Sequence, residues 1–245
     1  MRCAPAPVRL LFALSLALAA AGPASASTAL LAAADTAHCV DSQSLDLRRI
    51  LPPPPAAGSP RTRAELDELM RIQAQRTPIE IELARRDAVR SIFRFADALD
   101  GAPGFESKRL PLTSALFQHL NVDETAVLAS AKQEFARPRP FEVEPRLAPI
   151  IARPSSRSYP SGHSLWAYTT ALVLADMVPE RRAQLLARAD QYARNRTVAG
   201  VHYPSDVEAG RLAGTALAAM LFTCPAFERE QAAARKELRA ALRLR

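Results

Sequence analysis

Several things are scarce in this chain of 245 residues, and each scarcity removes a class of protein from consideration. Cysteine occurs three times, and neither Cys39 nor Cys224 stands at metal-ligand spacing from a histidine, which argues against a zinc site. Glycine occurs only eight times and never as a glycine-rich dinucleotide loop. No segment alternates apolar and polar residues for the length of a strand, and no internal repeat is present. The apolar runs fall short of the roughly 17 to 25 residues that a bilayer-spanning helix needs. Cations exceed anions, for a formal net charge of +7, yet no run of five cations occurs. Lys and Arg lie beside Glu and Asp along the helices, the pattern of a solvated surface with an anion-attracting site and not of a nucleic-acid interface.

What is present begins with a leader. Arg2 and Arg9 precede an apolar run from Leu10 to Ala21, and Ala24-Ser25-Ala26 offers a small-residue cleavage pattern, so residues 1–26 read as a secretory signal peptide. A retained membrane anchor is the alternative, and the run of about 12 residues is short for it. Cys3 lies far ahead of any cleavage site and so speaks against a lipidated terminus. Cleavage leaves Cys39 and Cys224, which in an exported protein are a candidate disulfide; two separate buried thiols are the other reading.

Residues 27–60 have little helical periodicity, and Pro52 to Pro55 impose an extended polyproline conformation. From residue 61 to 245 helices dominate, predicting an all-α single domain, a compact helical bundle. Thr77-Pro78-Ile79-Glu80 is a capping box with proline in the first turn, opening a helix whose apolar positions run through Ile81, Ala84, Val89, Ile92, Phe93 and Ala96 to Asp100-Gly101. Asn121-Val122-Asp123-Glu124 reads as the cap of a further helix ending near Phe135. Ala209, Gly210, Ala213 and Gly214 form a small-residue face suited to a close helix crossing. Phe227 to Arg245 reads as a charged amphipathic helix, and His38 and His119 as structural residues.

Three stretches carry chemistry. In Ser158-Tyr159-Pro160-Ser161-Gly162-His163, Ser161 is a good N-cap and Gly162 permits close backbone approach, so the opening amides of a helix to about Asp176 would face an anion. Lys132-Gln133-Glu134-Phe135-Ala136-Arg137-Pro138-Arg139-Pro140 ends a helix in cations. Arg196-Thr197-Val198-Ala199-Gly200-Val201-His202-Tyr203-Pro204-Ser205-Asp206 sets a cation, a histidine and a carboxylate in succession. Together they supply three permanent cations, a hydroxyl, an amide and two histidines, the inventory for phosphoryl transfer without a metal.

Lys132 with six residues before Arg139-Pro140, then Pro160-Ser161-Gly162-His163, then Arg196 with five residues before His202 and three more before Asp206, resembles the signature of the type 2 phosphatidic acid phosphatase (PAP2) superfamily. That superfamily also holds bacterial acid phosphatases and vanadium haloperoxidases. The segment Ile50 to Ser59 is similar to the N-terminal part of class A bacterial acid phosphatases, in which it wraps the domain.

The resemblance implies that His202 attacks phosphorus to form a phosphohistidine, that Asp206 orients it and that His163 protonates the leaving group. Lys132, Arg139, Arg196, Ser161 and Gly162 would bind the phosphoryl oxygens. Two positions depart from the pattern: Asn195 replaces the usual Ser before Arg196, and Arg157 stands where a small residue is common.

The implied function is a periplasmic, metal-independent acid phosphatase acting on small phosphomonoesters, able to transfer phosphate to alcohols. Phosphate or vanadate would be its pocket ligands, no cofactor is required, and a homodimer or larger oligomer is the family habit. Lipid phosphate or pyrophosphate hydrolysis, vanadate-dependent haloperoxidation and non-catalytic phosphate binding are the alternatives.

Overall fold

In the computed structural model the described residues are Met1 and 38–244, so the leader and its cleavage pattern lie outside them. Residues 38–244 fall in one compact unit. Among them there is no strand; the elements are α1 (Leu47–Ile50), α2 (Pro60–Gln75), α3 (Pro78–Arg86), a 3-10 helix (Ile92–Leu99), α4 (Pro111–Phe135), α5 (Pro140–Val143), α6 (Gly162–Met177), α7 (Arg182–Val198), α8 (Pro204–Leu221) and α9 (Pro225–Ala241), with short 3-10 turns between some of them. The all-α expectation holds.

Proline placement explains many of the helix starts. Pro60, Pro78, Pro111, Pro140, Pro204 and Pro225 each open a helix, where the missing N–H costs nothing and the fixed φ is already helical. The capping box at α3 forms as read: the Thr77 hydroxyl accepts from the Glu80 amide at 3.2 Å and the Glu80 carboxylate from the Thr77 amide at 2.9 Å.

α6 is the central element. Apart from His163 near its start, its only ionisable side chain other than Tyr168 is Asp176 in the last turn, and eleven of its sixteen residues are buried. It lies between α7 and α8. The small-residue face of α8 makes the crossing possible: a Cβ added at Gly210 would come within 2.5 Å of the Ser161 carbonyl, and one at Gly214 within 2.4 Å of the Leu165 carbonyl. Phe95, Trp166 and Tyr192 fill the space between α6, α7 and the 3-10 helix, and Trp166 is a core residue, 2% exposed.

Two sequence expectations are corrected. The helix opening at Thr77 does not run to Asp100; it stops at Arg86, and a separate 3-10 helix follows from Ile92. The cause is Asp87, fully buried, whose carboxylate accepts from Arg188 at 2.6 and 3.0 Å and from Asn195 at 2.7 Å. That pull ends the helix and leaves Val89 on the surface, 66% exposed. Asn121 to Glu124 do not cap a helix either, because α4 passes through them unbroken. The Asp123 carboxylate instead accepts from the Cys39 amide at 3.1 Å and from the His38 amide, so its capping chemistry serves a different segment.

The early segment packs closely. Leu47 and Leu51 are buried, the Tyr159 hydroxyl donates to the Pro52 carbonyl, and α1 adds one helical turn where none was expected. Cys39 and Cys224 form a disulfide across 185 residues. No single helix among the described residues is long and apolar enough to cross a membrane.

Glu124 is buried on α4 with a single cation for a partner. It is 1% exposed, its Oε1 has no hydrogen-bond partner, and Arg90 stands 3.4 Å from the other oxygen. Burial therefore pushes its carboxyl up to about 8, only partly countered by Arg90. A raised carboxyl binds its proton more tightly in the folded chain, so stability is fullest below the unfolded value near 4.3 and falls as pH climbs toward 8. Glu124→Gln is expected to stabilise the protein by up to about 3 kcal/mol at pH 7 and by almost nothing at pH 4. Urea midpoints at the two pH values check this; equal shifts at both would refute a buried, proton-holding carboxyl.

Candidate active site

The site grows from four helix ends. The last turn of α4 carries Lys132, and a left-handed Ala136 turns the chain into Arg137-Pro138-Arg139. α6 begins with Ser161, Gly162 and His163; the Ser161 hydroxyl accepts from the Ser164 amide at 3.3 Å, as expected of an N-cap. The last turn of α7 carries Asn195 and Arg196. The chain then reverses at Gly200, whose φ of +73° other residues rarely adopt, so that His202 returns toward Arg196 just before α8. A small apolar cluster that includes Leu69, Phe141, Val198, Val201 and Tyr203 supports this reversal.

His202 is buried, 2% exposed, and both ring nitrogens are engaged. Nδ1 lies 3.3 Å from Asp206 Oδ2, and Nε2 lies 2.8 Å from Arg139 Nη1. Since a guanidinium can only donate, Nε2 is the acceptor and the ring proton sits on Nδ1, facing the carboxylate. Burial, then the charges of Arg139, Lys132, Arg196 and His163, hold the imidazole well below its ordinary pKa. It is therefore neutral, with its lone pair on the pocket side.

Asp206 is placed in turn. Its carboxylate accepts from the Tyr203 amide at 3.0 Å, from Arg137 at 2.7 Å and from the Ser158 hydroxyl. Arg137 also donates to Glu65 at 2.9 Å and lies over the Tyr203 ring, 3.7 Å from its centroid. Burial pushes the Asp206 carboxyl up from its usual range, and Arg137, Ser158 and the amide pull against that.

The cations surround the nucleophile side. Arg139 donates to the Ser156 and Val201 carbonyls, each at 2.8 Å. Lys132 donates to the Arg157 carbonyl at 2.6 Å, and burial with Arg139 nearby lowers its ammonium to about 7. Arg196 is 1% exposed, and its Nε and Nη1 are buried with no hydrogen-bond partner. Burial pushes it down to about 10. Buried guanidinium donors without acceptors are costly, and a pocket of unpaired cations is a pocket built for an anion. His163 donates from Nε2 to the Ala88 carbonyl at 3.0 Å; burial and Arg196 lower it to about 3.

Lys132, Arg139, Arg196, His163, His202 and Asp206 thus act on one another, and the opening of α6 joins them: the Ser161 amide donates to the Asp206 carbonyl at 2.9 Å. Gly162 is packed so closely that a Cβ would meet Leu128 at 2.8 Å. The Asn195 amide is spent on the Asp87 carboxylate, at 2.7 Å. The Arg157 side chain is exposed; its carbonyl, not its charge, serves the site.

Three participants were missed in the sequence. Arg137 and Ser158 hold Asp206, and Arg90, whose charge reaches Lys132, His163 and Arg196, lines a cavity of about 240 Å³ with Phe93, Ser114, Gln118, Asn121 and Trp166. The Arg-Pro-Arg spacing around Pro138 was a usable signal for Arg137, since both guanidiniums leave one extended turn. Nothing local marked Arg90.

A family model described as the PAP2 superfamily matches residues 113–230. A non-specific acid phosphatase of Salmonella typhi is 32% identical over 207 residues, covering 80% of this chain and 81% of that one. Another from Providencia stuartii is 29% identical, covering 83% and 85%. Among solved structures, a bacterial vanadium-dependent iodoperoxidase shares the fold with a TM-score of 0.55 at 18% identity, covering 69% of this chain and 51% of that one.

Proposed function

Because the chain belongs to the PAP2 superfamily and is a phosphatase, we propose that its pocket hydrolyses small phosphomonoesters without a metal, through a phosphohistidine on His202, in an exported protein. The observation that supports this most is the pairing of a neutral, carboxylate-oriented His202 with buried guanidinium donors on Arg196 that lack acceptors. The Cys39–Cys224 disulfide supports an oxidising compartment.

The steps follow from the contacts. Arg139 caps the attacking nitrogen of His202, so an arriving phosphoryl group takes over that guanidinium with its own oxygen and exposes the lone pair. Arg196, Lys132, Arg139 and the amides at the start of α6 neutralise the equatorial oxygens, supplying the charge that a metal supplies elsewhere. Nε2 attacks phosphorus, and Asp206 stabilises the positive ring that results.

His163 has its Nε2 proton committed to Ala88, so Nδ1 is the nitrogen available to the leaving oxygen. Burial first, and Arg196 second, keep that nitrogen unprotonated in the unliganded pocket, and the charge of a bound phosphate dianion works against both. Substrate thus loads its own general acid. Water then attacks the phosphoenzyme. Arg90 acts on both His163 and Lys132, so the cavity that it walls with Trp166 is the space we assign to the leaving group.

A lowered ammonium at Lys132 is charged only below about 7, so kcat/KM for a chromogenic phosphomonoester is expected to fall above that pH as the pocket loses one cation. The corresponding limb in kcat should lie at higher pH, because bound phosphate favours the charged lysine. Activity should persist in a strong chelator. An alkaline optimum, or loss of turnover in the chelator, would overturn this reading.

A further inference from the structure

About 20 Å along α4 from Lys132, thirteen residues at 1.5 Å each, lies a second cluster of chemistry-bearing side chains. His38, His119 and Glu230 come from three separate elements: the segment before the disulfide, α4 and α9. His38 Nε2 is 3.0 Å from Glu230 Oε1, and His119 Nδ1 is 2.8 Å from Glu230 Oε2. The two imidazoles stack with centroids 4.5 Å apart, so both turn a ring nitrogen toward the same carboxylate. The three donor atoms lie within 4.8 Å of one another.

We propose that these three residues bind one divalent transition-metal ion of the Zn²⁺ class. Two imidazoles and a carboxylate suit borderline cations such as Zn²⁺ and not Ca²⁺ or Mg²⁺, which prefer oxygen. With three protein ligands, a tetrahedral ion keeps one position for water.

The ligands are held from behind. The amides of His38 and Cys39 both donate to the buried Asp123 carboxylate, which sits one turn beyond His119 on α4. Cys39 is joined to Cys224, immediately before α9 and six residues ahead of Glu230. A site fixed by a carboxylate clamp and a disulfide needs only small side-chain shifts to accept an ion. Each half of the Glu230 carboxylate now holds one imidazole; the ion would replace both of those hydrogen bonds with coordination.

The bound ion would tie the early segment to α4 and α9 beside the disulfide. It stands apart from the catalytic residues, so it adds stability without entering the reaction.

The test is calorimetric titration of the metal-stripped full chain with ZnCl₂, with thermal unfolding of the same samples. One equivalent is expected to bind, and the unfolding midpoint to rise by about 5 to 10 °C at a hundredfold excess over Kd. His119→Ala and Glu230→Gln should each weaken binding by at least about 100-fold while leaving phosphatase turnover intact, which shows that the variants fold. Absence of binding, or binding that survives both substitutions and so belongs to other histidines, overturns the proposal.

Discussion

His202→Ala is expected to lower kcat for phosphomonoester hydrolysis by at least about 10⁴-fold, since removing the proposed nucleophile leaves only the binding and charge stabilisation of the pocket. The fold should survive. Arg139 loses its contact with Nε2, but the same guanidinium nitrogen still donates to the Val201 carbonyl at 2.8 Å. Inorganic phosphate should therefore still bind, with little change in affinity. The decisive measurement is rapid quenching with ³²P-labelled substrate: the parent protein should carry label that is stable in alkali and labile in acid, as a phosphorylated imidazole is, and the variant none. A variant with near-parental turnover would move the nucleophile elsewhere.

Asp206→Asn should produce a double effect. An asparagine can turn an N–H toward His202 Nδ1, which then becomes the acceptor and sends the ring proton to Nε2, the proposed attacking atom. A loss in kcat of about 10³ to 10⁴-fold is expected from that exchange. The second effect is on stability. Arg137 is left with Glu65 as its only charged partner in a buried setting, at a cost of about 2 to 4 kcal/mol. Denaturant midpoints read the second effect and KM separates it from the first, because a pocket that still gathers its cations should leave KM nearly unchanged. A large rise in KM with kcat preserved would show that Asp206 shapes the pocket and not the imidazole.

Much of this site was legible because it is carried by short stretches in which chain geometry does the placing. Ser161 caps α6 as its residue type predicts, and His202 and Asp206 stand four apart across a proline-opened helix start, close enough for their contact to be local. What could not be read is what depends on distant partners. Asp87 falls inside the long helix expected from Thr77 to Asp100, yet Arg188 and Asn195, a hundred or so residues away, pull it inward and end that helix. Asp123 had every mark of a cap, and its partners lie 84 and 85 residues upstream. His38, His119 and Glu230 share no spacing, since the disulfide and helix packing alone bring them together. Local patterns foretell local contacts; long-range polar pairs take precedence where they are buried.

The closeness of α8 to α6 also bears on how such an enzyme can change over generations. On the phosphoryl side, Gly210 lets backbone rest on backbone beneath Ser161, so no side chain there can be trimmed or lengthened to fit a different reacting group. The cavity that Arg90 lines is made instead of side chains, among them Phe93, Ser114, Gln118, Asn121 and Trp166. Gln118 is exposed and Asn121 partly so, and neither holds a helix in place, whereas Trp166 is packed in the core. Under the proposed reaction, changes of substrate preference should gather among the exposed side chains of that cavity, while the backbone contact between α8 and α6 stays as it is.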